Sequence, residues 1–294
     1  MRAVSQPEKA GVRFTFAQQP HPVNSNDPPA AFDLAAYLRR IDYGGPIEPT
    51  LAVLRALHLA HATHIPFENL DILLGRPIRL DTTSLQAKLV TARRGGYCFE
   101  QNRLFATALQ AIGFDVEALI ARVRFRITQV LPRTHMLLLV GLDGERWLAD
   151  VGFGADGLLL PVALESGLSS HQFAWWFRTI ERDGLWVMQS ARAGVWEDVY
   201  AFTLEPQLAV DFEVANHYTS THPDSRFTQL LVAQRVAPQV KVTLRNRELT
   251  HDTGTDVMSR TLASDEEIVQ VLAEAFGLVF APGTRFALPE PGAA

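Results

Sequence analysis

One stretch of the 294-residue chain holds the residues best suited to chemistry: Arg94-Gly95-Gly96-Tyr97-Cys98-Phe99-Glu100-Gln101-Asn102, in which Cys98 is the only cysteine. A lone thiol cannot form an internal disulfide, so it serves either as a small buried apolar residue or as a nucleophile. Residues that could activate it lie downstream. Thr134-His135 opens an apolar run to Leu142, and Arg146 to Val151 forms a second run that contains Asp150. The two flank Asp143-Gly144-Glu145, and Asp-Gly is a strong signal for a two-residue hairpin turn. Pairing Leu142 with Glu145 puts His135 opposite Gly152 and Asp150 opposite Leu137. His135 and Asp150 then project from one face as diagonal neighbours, about 7–8 Å apart, a gap that an imidazole and a carboxylate can close. Cysteine, histidine and aspartate are the three parts of an activated thiol nucleophile. The spacing alone does not dock the hairpin on the thiol.

The elements around these residues follow from periodicity. Paired glycines end one helical pattern at Arg93-Arg94, and another starts at about Tyr97, with Phe105, Leu109 and Ile112 on one stripe and Gly113 as its stop. Cys98 falls two turns before Phe105, in the first turn of that helix, where unpaired N–H groups and the macrodipole stabilise a thiolate. Upstream, Phe32 to Ile41 reads as a helix stopped by Gly44-Gly45-Pro46. Thr50 caps a second helix through His64, with Leu51, Leu54, Leu57 and Ala60 or His61 inward. His58, His61 and His64 are spaced by three, but no cysteine or clustered carboxylate completes a metal site, so they read as packing or surface histidines. Ile65 to Asp71 reads as an irregular turn, and Asp81 to Ser84 caps a helix that starts with Leu85 and Leu89.

After Gly113 the period changes to two. Ile120 to Arg126 alternates, with Arg122, Arg124 and Arg126 on one face and Val123 and Phe125 on the other. Such a row can hold a phosphate-rich ligand, although a solvated sheet face is the commoner use. Further strands are expected at Phe173 to Ile180, Leu185 to Gln189 and Trp196 to Phe202. Strand-like runs recur at Leu230–Ala233 and Val240–Leu244, and Ser264 with Glu267 forms a capping box for a helix ending at Gly277. The expected organisation is a flexible proline-rich tail over 1–31, a helical bundle carrying the nucleophile over 32–113, a β-barrel carrying His135 and Asp150 over 114–205, and a mixed α/β region over 206–294.

Composition is that of an ordinary globular protein, 47% apolar and 20% charged, with a net charge of −5. That charge gives no bulk attraction to nucleic acid or to an anionic membrane. No signal-like run opens the chain and no span suits a membrane helix, so a cytoplasmic protein with a reduced thiol is expected. Neither GxGxxG nor GxxxxGK[ST] is present, and Val151-Gly152-Phe153-Gly154 alone reads as a turn.

The motif from Arg94 to Asn102 resembles the signature of the arylamine N-acetyltransferases. So do Pro66-Phe67-Glu68-Asn69-Leu70, Thr134-His135, Asp150 to Gly154, and Asn216-His217-Tyr218-Thr219-Ser220-Thr221 with Pro223, Ser225 and Phe227, all in the family's order over about 32–280. The resemblance implies an α+β fold with a papain-like triad, made of an N-terminal helical bundle, a central β-barrel and a C-terminal α/β lid. It implies acetyl transfer from acetyl-CoA to an aromatic amine or hydrazine, as in xenobiotic metabolism. Cys98 would be the acetyl acceptor, His135 its base and Asp150 the orienting carboxylate. Thr134, Gly154 and Phe227 match coenzyme A contacts, and Phe67 and Phe125 match acceptor-pocket positions. No metal is implied, and assembly as a homodimer stays open. Competing readings are an amide synthase that moves a carrier-bound polyketide acyl chain to an aromatic amine, a Cys-His-Asp hydrolase, and a non-enzymatic interaction domain, which leaves the His/Asp geometry unexplained.

Overall fold

Local capping sets most of the helices in the computed structural model, which describes residues 32–192 and 194–288; the expected tail over 1–31 lies outside them. Asp33 accepts the Ala36 N–H to start α1 (Leu34–Arg40), and Thr50 accepts the Val53 N–H to start α2 (Leu51–His64). Between α2 and the nucleophile the chain is less regular than an all-helical reading predicts. Phe67–Glu68 is a strand, β1, followed by the short helix α3 (Leu70–Leu73). The segment read as a turn thus pairs with a distant sheet, which no local period could announce. Asp81 caps α4 (Thr82–Leu85), which runs on as a π-helical stretch over Gln86–Thr91. The chain then reverses through Arg93, whose φ is 53°, and enters α5 (Cys98–Ile112), closed by Gly113 in the left-handed conformation.

An antiparallel sheet of eight strands follows, comprising β2 (Asp115–Val123), β3 (Arg133–Leu142), β4 (Glu145–Ala149), β5 (Val162–Ala163), β6 (Ser169–Gln172), β7 (Trp175–Arg182), β8 (Leu185–Arg192) and β9 (Val195–Phe202), in the order β5-β4-β3-β2-β9-β8-β7-β6. Gly167 N–H donates to Thr179 O at 2.7 Å, which draws the segment after β5 alongside β7 and curls the sheet toward a barrel. The β3–β4 hairpin has the register set by its Asp143-Gly144 turn, from Leu142↔Glu145 to Leu138↔Ala149. Met136 to Val140 is buried on both faces. Leu137 and Leu139 pack with Leu148 inside the barrel, while Met136, Leu138 and Val140 pack with Ala149 against α5. Each such side chain contributes roughly 1.5–3 kcal/mol on burial, so a one-residue slip, which would exchange the two faces, is strongly disfavoured.

The remaining chain forms α6 (Ala209–Thr221), α7 (Arg226–Gln229), β10 (Val232–Ala237), β11 (Val240–Arg245), β12 (Glu248–Asp252), β13 (Val257–Thr261) and α8 (Asp265–Phe276). A second antiparallel sheet runs β1-β10-β11-β12-β13, so β1 from the helical region is its first strand. Ser264 accepts the Glu267 N–H as expected. The expected return bond of the capping box differs, because the Glu267 carboxylate takes the Ala263 N–H at 2.6 Å instead. The alternating arginine row also breaks. β2 ends at Val123 after a bulge at Ala121/Arg122, and Arg126 turns away with φ 54°. Arg122 donates to Leu131 O, Arg124 pairs with Asp198 at 3.4 Å and Arg126 with Glu197 at 3.5 Å. Among the described residues no helix is long and apolar enough to cross a membrane.

Candidate active site

Cys98 is the first residue of α5, and nearly every side chain in the next turns is buried, polar ones included. Each of the buried polar groups has partners. Glu100 accepts the Tyr97 N–H at 3.1 Å and the Lys88 ammonium at 2.7 Å, which fixes the start of the helix. Burial pushes its carboxyl up to about 7, with Lys88 opposing and Glu68 adding to the rise. Gln101 bonds His61 at 2.7 Å and Pro66 O at 2.8 Å. Asn102, one turn after Cys98, donates to Met136 O at 2.7 Å and to Asp150 Oδ1 at 2.9 Å, and accepts the Val151 N–H at 3.1 Å. This one amide ties the thiol's helix to β3 and to the segment just after β4.

His135 and Asp150 meet as the hairpin register requires: His135 Nε2 lies 2.8 Å from Asp150 Oδ2. The other carboxylate oxygen accepts from Asn102 and from the Gly152 N–H at 3.0 Å. With Nε2 taken, Nδ1 is the ring nitrogen left for Cys98. All three residues are buried, at 4%, 2% and 1% exposure for Cys98, His135 and Asp150. Burial pulls the His135 imidazole down, but the charge and hydrogen bond of Asp150, with the Cys98 thiol beside it, outweigh that and raise it to about 10. Burial pushes the Asp150 carboxyl up, and His135, Asn102 and Gly152 more than offset this, holding it below its ordinary value. The ring of His135 is further fixed by Tyr200 at 4.8 Å and, edge-on, by Phe153 at 5.1 Å.

Two further groups adjoin these three residues. The bulge in β3 gives it one residue more than β2 at Thr134, whose carbonyl accepts the Cys98 thiol at 3.6 Å. His58, from α2, accepts the Asp150 N–H at Nε2 (3.1 Å) and bonds Leu159 O through Nδ1 (3.0 Å). Burial lowers His58 to about 4, so it stays neutral and keeps its acceptor. Its position four residues after the inward Leu54 was a signal for burial but not for a role. His61 is buried against Tyr37 and Gln101 while His64 is exposed, and among the described residues no cluster of three or more His, Cys, Asp or Glu could hold a metal.

A cleft of about 650 Å³ opens from Cys98 and His135 between the barrel, the α6–α7 segment and the second sheet. Its walls include Phe67, Phe125, Thr134 and Phe227, four of the five expected ligand contacts. Phe227 stands edge-on to Tyr97 at 5.6 Å and 6.0 Å from Phe67. Gly154, the fifth, is off that wall: it has φ 69° and a Cβ there would meet the Phe67 ring at 3.2 Å. The glycine that lets backbone approach the nucleophile is Gly152, where a Cβ would come within 2.8 Å of Cys98 Cα and of Asn102 Nδ2.

The geometry is that of a thiol acyltransferase or thiol hydrolase, and comparison with known proteins decides between them. Residues 50–284 match the N-acetyltransferase family model. An arylamine N-acetyltransferase of Escherichia coli is 41% identical over 245 residues, 82% of this chain and 87% of the relative. The chain belongs to the arylamine N-acetyltransferase family. A second member, from Mycobacterium tuberculosis, is 38% identical over 88% of this chain and 94% of its own. Among solved structures, the M. tuberculosis arylamine N-acetyltransferase superposes with a TM-score of 0.81 at 37% identity, covering 84% of this chain and 94% of that one. The Mycobacterium marinum arylamine N-acetyltransferase, solved in complex with CoA, gives 0.80 at 35% identity over 84% and 93%. The protein is therefore an acyltransferase on a papain-like α+β fold, with arylamine N-acetyltransferase activity.

Proposed function

We propose that the enzyme moves an acetyl group from acetyl-CoA to the nitrogen of an arylamine or arylhydrazine by a ping-pong cycle through acetyl-Cys98, acting in the reducing cytoplasm. The observation that carries this reading is the buried Cys98, His135 and Asp150 set, in which Asp150 holds His135 as an imidazolium. An imidazole between the thiol and a carboxylate can take the thiol proton, which activates the nucleophile. The Cys98 thiolate attacks the thioester carbonyl. Helix-start N–H groups of α5 stabilise the oxyanion, the bond to the coenzyme A sulfur breaks, and His135 protonates the departing thiolate. One thioester replaces another at nearly equal free energy, so the acyl group can be held while coenzyme A leaves. The amine attacks next, the now neutral His135 takes its surplus proton, and the Cys98 thiolate departs. Aromatic amines and hydrazines suit this step because they are weakly basic and arrive uncharged. Support for the donor comes from the cleft's size and from its walls, which Thr134 and Phe227 share with Cys98.

Incubation with acetyl-CoA followed by intact-mass measurement tests the reading. One acetyl group should appear on the wild type, none on Cys98→Ser, and an added arylamine should discharge it as the N-acetyl product. Loss of the acetyl group to water at the same rate with and without amine would instead mean a hydrolase.

A further inference from the structure

Five cationic side chains line the cleft: Arg126, Arg192, Arg226, Lys241 and Arg245. Three are neutralised in place. Arg126 pairs with Glu197 at 3.5 Å, Arg192 with Asp252, and Lys241 with Asp156 at 2.5 Å. Arg226 at the start of α7 and Arg245 at the end of β11 differ. Among the described residues neither guanidinium has a carboxylate within 4.0 Å or donates a hydrogen bond. Two acidic residues share this wall: Asp224 makes its one ion-pair contact with His222, at 3.9 Å, and Glu248 faces Arg245 across the β11–β12 ladder without closing on it. The two lie on one stretch of the cleft, because Arg226 O accepts the Leu230 N–H at 3.1 Å and Arg245 pairs with Val232 in the β10–β11 ladder; burial and the charge of Arg245 push Arg226 below its ordinary value. Two like charges on one wall, neither closed onto a carboxylate, are an arrangement that a bound anion relieves.

We propose that Arg226 and Arg245 form the subsite that receives the phosphate groups of the coenzyme A donor. The inference rests on acetyl-CoA being the donor, and it follows from the chemistry of the two substrates. An arylamine is neutral and carries no anionic group to match the two charges. The donor carries its thioester at one end and phosphates at the other, so its reactive end can reach Cys98 while the anionic end lies on the cationic part of the same wall. Arginine suits this role better than lysine because its planar fork engages phosphate oxygens two at a time. The assignment also explains why the Arg122–Arg126 row is not needed for phosphate, its charges being already matched by Asp198 and Glu197 and its one remaining fork by Leu131 O.

Steady-state kinetics with two donors test it: acetyl-CoA, and S-acetylpantetheine, which has the same thioester arm without any phosphate. Arg226→Gln and Arg245→Gln should each raise the KM for acetyl-CoA about tenfold, and the double variant about a hundredfold, as expected for lost charge-assisted contacts on an open wall. The KM for S-acetylpantetheine should stay within about twofold throughout, and Arg245→Lys should recover part of the affinity for acetyl-CoA by keeping the charge without the fork. Added salt should raise the wild-type KM for acetyl-CoA more steeply than that of the double variant. An unchanged KM for acetyl-CoA in the double variant, or an equal rise with both donors, overturns the assignment. A wild type that acetyl-CoA cannot acetylate would instead remove the donor reading on which it rests.

Discussion

His58 Nε2 accepts the peptide N–H of Asp150 at 3.1 Å although 92 residues separate the two. An unprotonated imidazole in a helix thus anchors the chain just after β4, where the Asp150 carboxylate meets His135, and it can do so only while neutral. Burial favours that state, lowering His58 to about 4 and its neighbour His61 to about 3.

The stability of the fold should depend on pH through these two rings. Between the ordinary histidine value of 6.5 and about 4, the unfolded chain binds a proton at residue 58 that the native state refuses. The stability this residue contributes is therefore whole above 6.5 and is lost as pH falls through about 4, at about 1.4 kcal/mol per pH unit. Glu100 acts in the opposite sense, because its native carboxyl, at about 7, holds a proton that the unfolded chain releases above 4.5. The comparison of His58→Gln with wild type isolates the histidine. Urea melts at pH 5.0 and 6.0 should show the slope of stability against pH reduced by about one proton in the variant; parallel slopes would mean that His58 does not resist protonation.

Asp150→Asn should bind coenzyme A with normal affinity yet lose acetyl transfer by about 10³–10⁴-fold. The amide removes the charge that raises His135 while burial remains, so the imidazolium is no longer held at neutral pH. Calorimetric binding together with single-turnover acetylation separates the two effects. Turnover within tenfold of wild type would remove Asp150 from the triad.

Alkylation of Cys98 by iodoacetamide should remain fast at pH 6, because the His135 imidazolium beside it persists until pH rises through about 10. In His135→Ala the rate at pH 6 should fall by about a hundredfold. Equal rates in the two proteins would mean that the thiol reacts without help from the imidazole.

The two glycines after Asp150 should fail differently. Gly152→Ala forces a Cβ to within 2.8 Å of Cys98 Cα, so either the loop or the helix must move. Displacements of that size at reacting groups cost about a hundredfold in rate, so kcat should drop with every donor. Gly154→Ala carries the strain of φ 69° and presses on Phe67 instead, at a cost of about 1–3 kcal/mol in folding. It should impair acetyl-CoA and p-nitrophenyl acetate alike, because the crowded group is the aromatic wall and not a nucleotide contact. A selective loss of acetyl-CoA would return Gly154 to the donor site.

What could be read in advance was whatever is written into neighbouring residues. Asp143-Gly144 sets a turn, the turn sets the register, and the register brings His135 to Asp150. Thr50, Ser264, Gly113 and Gly277 mark helix ends because caps are local. The contacts that complete the site are of another kind. Asn102, His58 and Gly152 act on residues many positions away, and their types suit a turn or a helix face equally well. Asn102 alone had a usable signal, lying one turn from Cys98 on the same side of α5. The alternation from Ile120 to Arg126 misled because a bulge and an early strand end interrupt it, and neither alters the pattern of residue types.

The pairing of β1 with β10 bears on the order in which the ribosome delivers the chain. Phe67 lies opposite Gln234, Asn69 accepts the Val232 N–H at 2.8 Å, and that acceptor waits 163 residues for its donor. A nascent enzyme already has Cys98, His135 and Asp150 long before the strand that backs Phe67 has been made. Until then the aromatic wall of the cleft has no sheet behind it. Closure of the cleft is thus tied to synthesis of β10, and a chain that stops after β9 lacks the sheet behind Phe67.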